Sequence, residues 1–268
     1  MNSGRGFALL YGIMLGDGCI SRYITKERGE RCSVCISGDY YGDWKFYEGI
    51  LIPLLKSLGR KSVTIKKRPN NGTLEINFPD KRLFDLFVDN KFPVGKKGTQ
   101  LEIPKIFYKD DLIREVIQGF FSTDGSVVLT KNPNKFYPRL EGHGISPKLI
   151  LQIKEYLNKL GMKGHFYECK RSKMYSRWKT AQRQYRFQFN GEENFVKFNN
   201  LIGFVNPKHK RKFQEFLKYS KKYNKLTKAV STQKQKPIRE KINKRFNEWL
   251  HQELNLGPPA HETGALTN

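Results

Sequence analysis

The chain has 268 residues, 38% of them apolar, and its 50 lysines and arginines against 25 acidic residues give a formal net charge of +25 and a pI near 9.9. This surplus excludes a neutral surface and predicts binding to a polyanion through counterion release. Because no apolar run reaches the roughly 18 residues that span a bilayer and no secretory signal is present, we expect an intracellular protein without a membrane partner, in a prokaryotic cytoplasm or an organelle.

The first predicted element is a helix over residues 10–18, and residues 117–125 repeat its design. Each stretch is an apolar run that ends in an aspartate, Asp17 or Asp124, with one glycine five residues before the acid and another directly after it. Small residues let two helix backbones approach closely, which predicts that these helices pack on each other. We expect the glycine after each acid to adopt a left-handed conformation that ends the helix.

The two aspartates predict a divalent metal site. Both carboxylates would emerge at the same end of the helix pair, where their repulsion is tolerated mainly when a cation bridges them. The alternative is a pair of ordinary core helices that each end in an acid. It is disfavoured because an aspartate at a helix C-terminus opposes the helix dipole, and because the Gly-x4-Asp-Gly pattern occurs twice.

Strand and helix signals alternate through the rest of the first half. Apolar alternation and turn residues predict strands over 19–25, 31–37, 62–67 and 73–78, the last two joined by a turn that ends in Asn71-Gly72. Helical spacing predicts helices over 43–58, with a kink at Pro53, and over 81–89. Residues 92–104 then lead to the second motif.

The second half repeats this order. Strands are predicted over 126–130, 137–145, 164–171 and 184–190, and helices over 146–160, started by Ser146 and Pro147, and over 192–202. The prediction is an α+β fold of two pseudo-symmetric αββαββα subdomains, each with a four-stranded antiparallel sheet covered by helices on one face. We place them at 1–104 and 105–218, with the motif helices at their interface. Residues 219–268 are predicted to be a basic C-terminal extension, partly disordered.

The four cysteines do not form the disulfide framework of a secreted protein. Cys32 and Cys35 make a single C-x2-C without a second Cys or His pair at suitable spacing. We interpret them as strand residues rather than as a zinc site.

The two motifs resemble those of the LAGLIDADG (dodecapeptide, or DOD-type) homing endonucleases, in the single-chain form with two motif copies. The residues that match the nine-letter pattern are Leu10, Gly12, Asp17 and Gly18 in the first copy and Gly119, Asp124 and Gly125 in the second. The sequence departs from the pattern at its first Asp, where Leu15 and Ser122 stand, a position that varies within the family.

The resemblance implies that Asp17 and Asp124 are catalytic and ligate Mg²⁺, with Mn²⁺ as a possible substitute. The backbone carbonyls of Gly16 and Thr123 are the implied additional ligands. Such hard oxygen donors suit Mg²⁺, which keeps several waters and uses substrate phosphate as well.

The family also places a basic residue near each active site. Lys97, or its neighbour Lys96, holds this place in the first half, and Lys210, or Lys208, holds it in the second. Such a lysine offsets transition-state charge or holds water; the alternatives are a phosphate contact or a solvated loop.

The uncovered faces of the two sheets predict a DNA-binding saddle, because a β-ribbon fits the major groove. For any one basic side chain a solvated position is the alternative. Aromatic residues are interleaved among the candidate contacts, which are Arg22, Lys26, Arg28, Arg31, Lys66, Lys67, Arg68, Lys131, Arg139, Lys170, Arg171, Arg177, Arg183 and Arg186.

Together these features favour a monomeric, metal-dependent endonuclease of the homing type, which cuts both strands of a long asymmetric duplex site. The alternative is a non-cleaving nucleic-acid-binding protein on the same scaffold, either an intron RNA maturase, for which RNA would be a partner, or a transcription regulator. The presence of both acids favours the nuclease. A self-splicing intein is disfavoured because residue 1 is Met and no terminal His-Asn is present.

Overall fold

The structure is a computed structural model, and it describes residues 4–27, 29–109, 111–132, 135–170 and 183–219. These residues belong to one compact unit, Met1–Tyr223. The predicted C-terminal extension lies outside the described residues apart from its first position.

Helices and strands follow the predicted order in both halves. The helices are α1 (Arg5–Asp17), α2 (Trp44–Phe46), α3 (Ile52–Ser57), α4 (Lys81–Asp89), α5 (Lys105–Lys109), α6 (Ile113–Thr123), α7 (Pro147–Lys159), α8 (Glu192–Leu201) and α9 (Pro207–Tyr219). The strands are β1 (Gly18–Thr25), β2 (Gly29–Asp39), β3 (Lys66–Arg68), β4 (Thr73–Phe78), β5 (Gly125–Asn132), β6 (Lys135–Gly144), β7 (Gly164–Lys170) and β8 (Arg183–Asn190).

The eight strands form two four-stranded antiparallel sheets. Their orders are β1-β2-β4-β3 and β5-β6-β8-β7, so the second half repeats the topology of the first. The strand that follows each motif helix is an edge strand of its sheet. The predicted α+β fold with internal pseudo-symmetry is therefore confirmed.

The two motif helices, α1 and α6, pack against each other through glycines. A Cβ atom at Gly12 would lie 2.0 Å from the carbonyl oxygen of Val116, and one at Gly119 would lie 2.2 Å from that of Leu9. Nearly every side chain of α1 is buried, as expected for a helix that is apolar on all sides. The predicted close approach of the two backbones is thus present.

The predicted left-handed glycine after each aspartate is wrong. Gly18 is extended, with φ −94° and ψ 160°, and starts β1; Gly125 starts β5 in the same way. Glycine is needed for space instead, because a Cβ would lie 2.6 Å from the Cα of Met14 at the first position and 2.3 Å from the carbonyl oxygen of Phe121 at the second. Each helix therefore runs directly into a strand.

The short helix α5 was not predicted, and three further elements differ from the predictions. The helix predicted over 43–58 contains a π-helical segment, Tyr47–Leu51, because Pro53 cannot donate to the carbonyl four residues before it. The strand predicted over 62–67 is reduced to β3. Helix α9 was not predicted, although Pro207 at its first position marks a helix start.

Aromatic side chains form the core of each half. Phe7 and Tyr11 of α1 contact Phe87 of α4, and Tyr11 also contacts Phe107 of α5, while Phe121 of α6 contacts aromatic residues of α8 and the loop after it. Helix α1 therefore contributes aromatic side chains to one core and α6 to the other. Among the described residues, no helix is long and apolar enough to cross a membrane.

Candidate active site

The two motif carboxylates lie at the same end of the α1–α6 pair. Asp17 is the last residue of α1, and Asp124 follows the last residue of α6. A Cβ at Gly16 would lie 3.3 Å from Oδ2 of Asp124 and 2.1 Å from Oγ1 of Thr123. The second carboxylate therefore lies against the backbone beside the first.

Burial disfavours the charged forms of both acids, and repulsion from neighbouring carboxylates adds to this at Asp17. Burial, then the charges of Asp124 and Asp43, raise the pKa of Asp17 to about 7, against the opposing effect of nearby lysines. Burial raises the pKa of Asp124 to about 6, with Lys97 opposing. Two adjacent acids with raised pKa values form a site that an additional cation would stabilise.

The donors at this site suit a hard divalent ion that keeps some of its waters. The described residues contain no group of three or more His, Cys, Asp or Glu side chains arranged to hold a metal. Two carboxylates with backbone carbonyls are too few for a closed cage. They match the open oxygen coordination that Mg²⁺ shares with substrate phosphate.

Lys97 lies at the carboxyl end of α1. Its Nζ donates to the carbonyls of Met14, at 3.2 Å, Leu15, at 3.0 Å, and Gly16. A cation here is favoured by the helix dipole. Burial lowers the pKa of Lys97, whereas Asp124 and Asp17 raise it. Lys96 is exposed, so Lys97 is the lysine of this pair that reaches the site.

The carbonyl of Gly16, an expected metal ligand, is therefore already an acceptor for Lys97. The hydroxyl of Thr123 donates to the backbone carbonyl of Phe120, at 3.0 Å. The metal ligand predicted for this residue is its backbone carbonyl, which this hydrogen bond does not involve. The carbonyl prediction for both residues stays a prediction.

In the second half, Lys208 rather than Lys210 is directed toward the acids. Lys210 is exposed on α9. Nζ of Lys208 lies 2.7 Å from Oδ1 of Asp43, and its charge lowers the pKa of Asp17. Sequence reasoning missed Asp43, because a lone acid at the start of a helix is read as an N-cap.

The strand register divides the predicted DNA contacts of the first sheet between its two faces. Arg22 lies 5.4 Å from the ring of Phe84 and Lys67 lies 4.1 Å from that of Trp44, both on the face that the helices cover. These two residues are therefore removed from the predicted contact face. Arg31, Lys66 and Arg68 alternate to the opposite face, and Lys26 lies in the turn between β1 and β2.

The second sheet carries a polar cluster on its uncovered face. Arg139 and Arg186 both contact the buried Glu141, at 2.7 and 3.8 Å, and Arg186 lies 5.1 Å from the ring of Tyr167. Lys131 and Arg183 occupy register positions of the helix-covered face, near strand ends where both are exposed.

The side chains of the other predicted DNA contacts lie outside the part of the chain that the structure describes. Arg28, Arg171 and Arg177 lie outside the described residues, and Lys170 is placed only as the last backbone position of β7. Cys32 and Cys35 are three positions apart in β2, so they point to opposite faces and do not form a common metal site.

The two acids should make the metal-free protein less stable as pH rises. Both have ordinary pKa values of 3.8 that are raised on folding, to about 7 and about 6, so folded protein holds more protons between pH 4 and 7 and loses stability across that window. With divalent ions chelated, Asp17→Asn should be more stable than wild type at pH 8, by about 2 to 4 kcal/mol.

Urea unfolding at pH 4 and pH 8 measures this difference, which should shrink toward zero at pH 4. The buried His209 titrates in the opposite sense, its pKa being lowered to about 3, but it is common to both proteins and cancels in the comparison. Equal stabilities at pH 8 would show that neither burial nor repulsion disfavours the charged form of Asp17.

Comparisons with known proteins agree with this arrangement. Residues 111–203 match a family model described as a LAGLIDADG-like domain. The fold resembles that of I-DmoI in complex with DNA and calcium, at 18% identity and a TM-score of 0.50, over 75% of this chain and 91% of that one. It also resembles I-AabMI bound to uncleaved DNA, at 13% identity and a TM-score of 0.51, over 82% of this chain and 92% of that one.

One curated relative is the probable translation initiation factor IF-2 of Methanocaldococcus jannaschii, 24% identical over 232 residues. This match covers 84% of the chain but 17% of that protein, so the chain spans about one sixth of the relative's length. The first half repeats the helix-to-strand motif and the sheet topology of the second half, whose residues 111–203 match the LAGLIDADG-like domain, and the fold of the two halves together resembles that of I-AabMI.

Proposed function

We propose that the protein is a site-specific, metal-dependent endonuclease that cuts both strands of duplex DNA. The observation that carries this proposal is the convergence of Asp17 and Asp124, one from each motif helix, in a site where burial raises both pKa values and the charge of Asp124 raises the pKa of Asp17 further. A protein that only bound nucleic acid would gain nothing from this repulsion.

Asp17 and Asp124 would hold Mg²⁺ through their carboxylates. The bound ion would supply Lewis-acid polarisation of the scissile phosphate and activation of water. Lys97 contributes a positive charge beside both acids, where it offsets charge that develops on the phosphate. Its three carbonyl partners fix the ammonium group in place before substrate arrives.

The uncovered sheet faces would bind the duplex. Arg31, Lys66 and Arg68 supply cations on the first sheet, and Arg139 and Arg186 supply them on the second. The solved structures with this fold include DNA complexes, among them I-DmoI in complex with DNA and manganese. By analogy, this chain would bind DNA with the same two sheets.

Cleavage of a randomised duplex library in Mg²⁺ tests the proposal. We expect double-strand products at one enriched sequence, with cutting stopped by chelation and restored by added Mg²⁺ or Mn²⁺. Specific binding without cleavage, under any divalent ion, would instead support a transcription regulator, and preferential binding of structured RNA would support a maturase.

Binding should depend steeply on salt. With a net charge of +25 and several phosphate contacts, affinity should fall by about 10³-fold or more between 50 and 200 mM monovalent salt. Fluorescence anisotropy with a labelled duplex in Ca²⁺ measures this slope. A flat response would contradict the role assigned to the basic surplus.

A further inference from the structure

A buried carboxylate of the first half, Asp43, binds a lysine of the second half. Asp43 is 6% exposed. Its Oδ1 accepts hydrogen bonds from Nδ2 of Asn206, at 3.1 Å, and Nζ of Lys208, at 2.7 Å, and its Oδ2 accepts one from the backbone N–H of Asp39, at 3.2 Å. The carboxylate is therefore fully engaged, and Lys208 is held as half of an ion pair.

Asn206 connects this ion pair to the second motif helix. The same Nδ2 that contacts Asp43 donates to the carbonyl of Ser122, at 2.8 Å, two residues before Asp124. Its Oδ1 accepts from the backbone N–H of Lys208, at 3.0 Å, which fixes the start of α9. Asn206 is 1% exposed. The position of Lys208 is thus fixed relative to the end of α6.

The corresponding lysine of the first half is not paired in this way. Lys97 and Lys208 follow α4 and α8, the helix after the last strand of each half, by similar distances along the chain. Nζ of Lys97 donates to three carbonyls at the end of α1, whereas Nζ of Lys208 contacts the carboxylate of Asp43. One amine keeps its charge available and the other is neutralised.

The residue that neutralises Lys208 has no charged counterpart in the second half. Asp43 starts the helix that follows β2, and Ser146 starts the helix that follows β6. The hydroxyl of Ser146 donates to the carbonyl of Leu101, at 2.6 Å, in the segment after α4. The two halves therefore make the same kind of contact across the molecule, but only the first places an acid there.

We infer that Asp43 is a positioning residue that holds Lys208 in a neutral pair, so that the two DNA strands are cut at unequal rates. This inference rests on the proposed nuclease function. The strand nearer the Lys97 side would be cut first, because a cation already paired with a carboxylate offsets less of the charge that develops on phosphate. A nicked duplex would then accumulate before the double-strand break.

The test follows both strands of a duplex target, each with its own fluorescent label, in single turnover with Mg²⁺. Wild type should show two different rate constants and a nicked intermediate. Asp43→Ser, which gives the first half the residue of the second, should raise the slower rate by about tenfold and bring the ratio of the two constants toward one. Lys208→Met in the Asp43→Ser background should return the slower rate to its original value.

Two further variants serve as controls for this experiment. Asp43→Asn removes the charge while keeping nearly the same shape, so it should shift the ratio in the same direction if Asp43→Ser unfolds. Lys212→Met, on the same helix, removes an amine that donates to the carbonyl of Val127, at 2.6 Å, and should leave the ratio unchanged. Thermal melting of each variant reports folding.

The outcomes separate the two proposals. If neither strand is cut by wild type under any divalent ion, the nuclease assignment fails. If both strands are cut at equal rates, or if the Asp43 variants fold and leave the ratio unchanged, the nuclease assignment stands and the positioning role of Asp43 is overturned.

Discussion

Asp17→Asn is expected to abolish double-strand cleavage while leaving DNA affinity within a few-fold of wild type. Asparagine has nearly the shape of aspartate but supplies no charge to a divalent ion. The loss of a centrally placed ligand should lower the cleavage rate by about 10²-fold or more. Plasmid linearisation and anisotropy in Ca²⁺ measure the two quantities separately.

Asp124→Asn should behave alike, since the acids share one site. The matched control is Asp85→Asn, which removes a half-exposed acid paired with Lys81 on α4, far along the chain from either motif. It should cut at the wild-type rate. Full activity in either motif variant would refute the assignment of these carboxylates as metal ligands.

Gly119→Ala should destabilise the protein more than any surface change, by about 3 kcal/mol or more. Its Cβ would lie 2.2 Å from the carbonyl oxygen of Leu9 and 2.7 Å from the amide nitrogen of Ile13. Both atoms are backbone, so the clash is relieved only when α1 and α6 move apart, which also disrupts packing in both cores. Urea unfolding gives the change in free energy.

Gly49→Ala is the matched control, because a Cβ there meets nothing within 4 Å. It should be neutral or slightly stabilising, as alanine favours helical backbone over glycine. If Gly119→Ala were as stable as the control, the helices would not be held at the separation described here. Any loss of cleavage in Gly119→Ala should exceed that expected from the unfolded fraction, since the acids would separate.

The sequence was sufficient to predict the architecture because its signals are local. Apolar spacing and capping residues specify α4 and α7, and Ser146, the predicted start of α7, accepts a hydrogen bond from the backbone N–H of Leu149. The motif glycines predicted the helix contact. The glycines that follow the acids, Gly18 and Gly125, leave space for Met14 and Phe121. This role was not predictable, because it depends on atoms that the fold brings next to each glycine.

The surroundings of the acids could not be predicted for a related reason. Asp43 and Lys208 lie 165 positions apart in the chain, and no spacing rule relates them. Among Lys96, Lys97, Lys208 and Lys210 the choice depends on loop paths. The faces occupied by Arg22 and Lys67 depend on register, since a shift of one residue exchanges the two faces of a strand.

Under the proposed nuclease function, the contact at Gly12 and Gly119 has a consequence for how the protein would acquire new targets. The distance between the two acids is set by backbone pressed against backbone, whereas the surfaces that would touch bases belong to the sheets. Exchanging sheet side chains would therefore redirect the protein to another sequence without altering the offset between its two incisions.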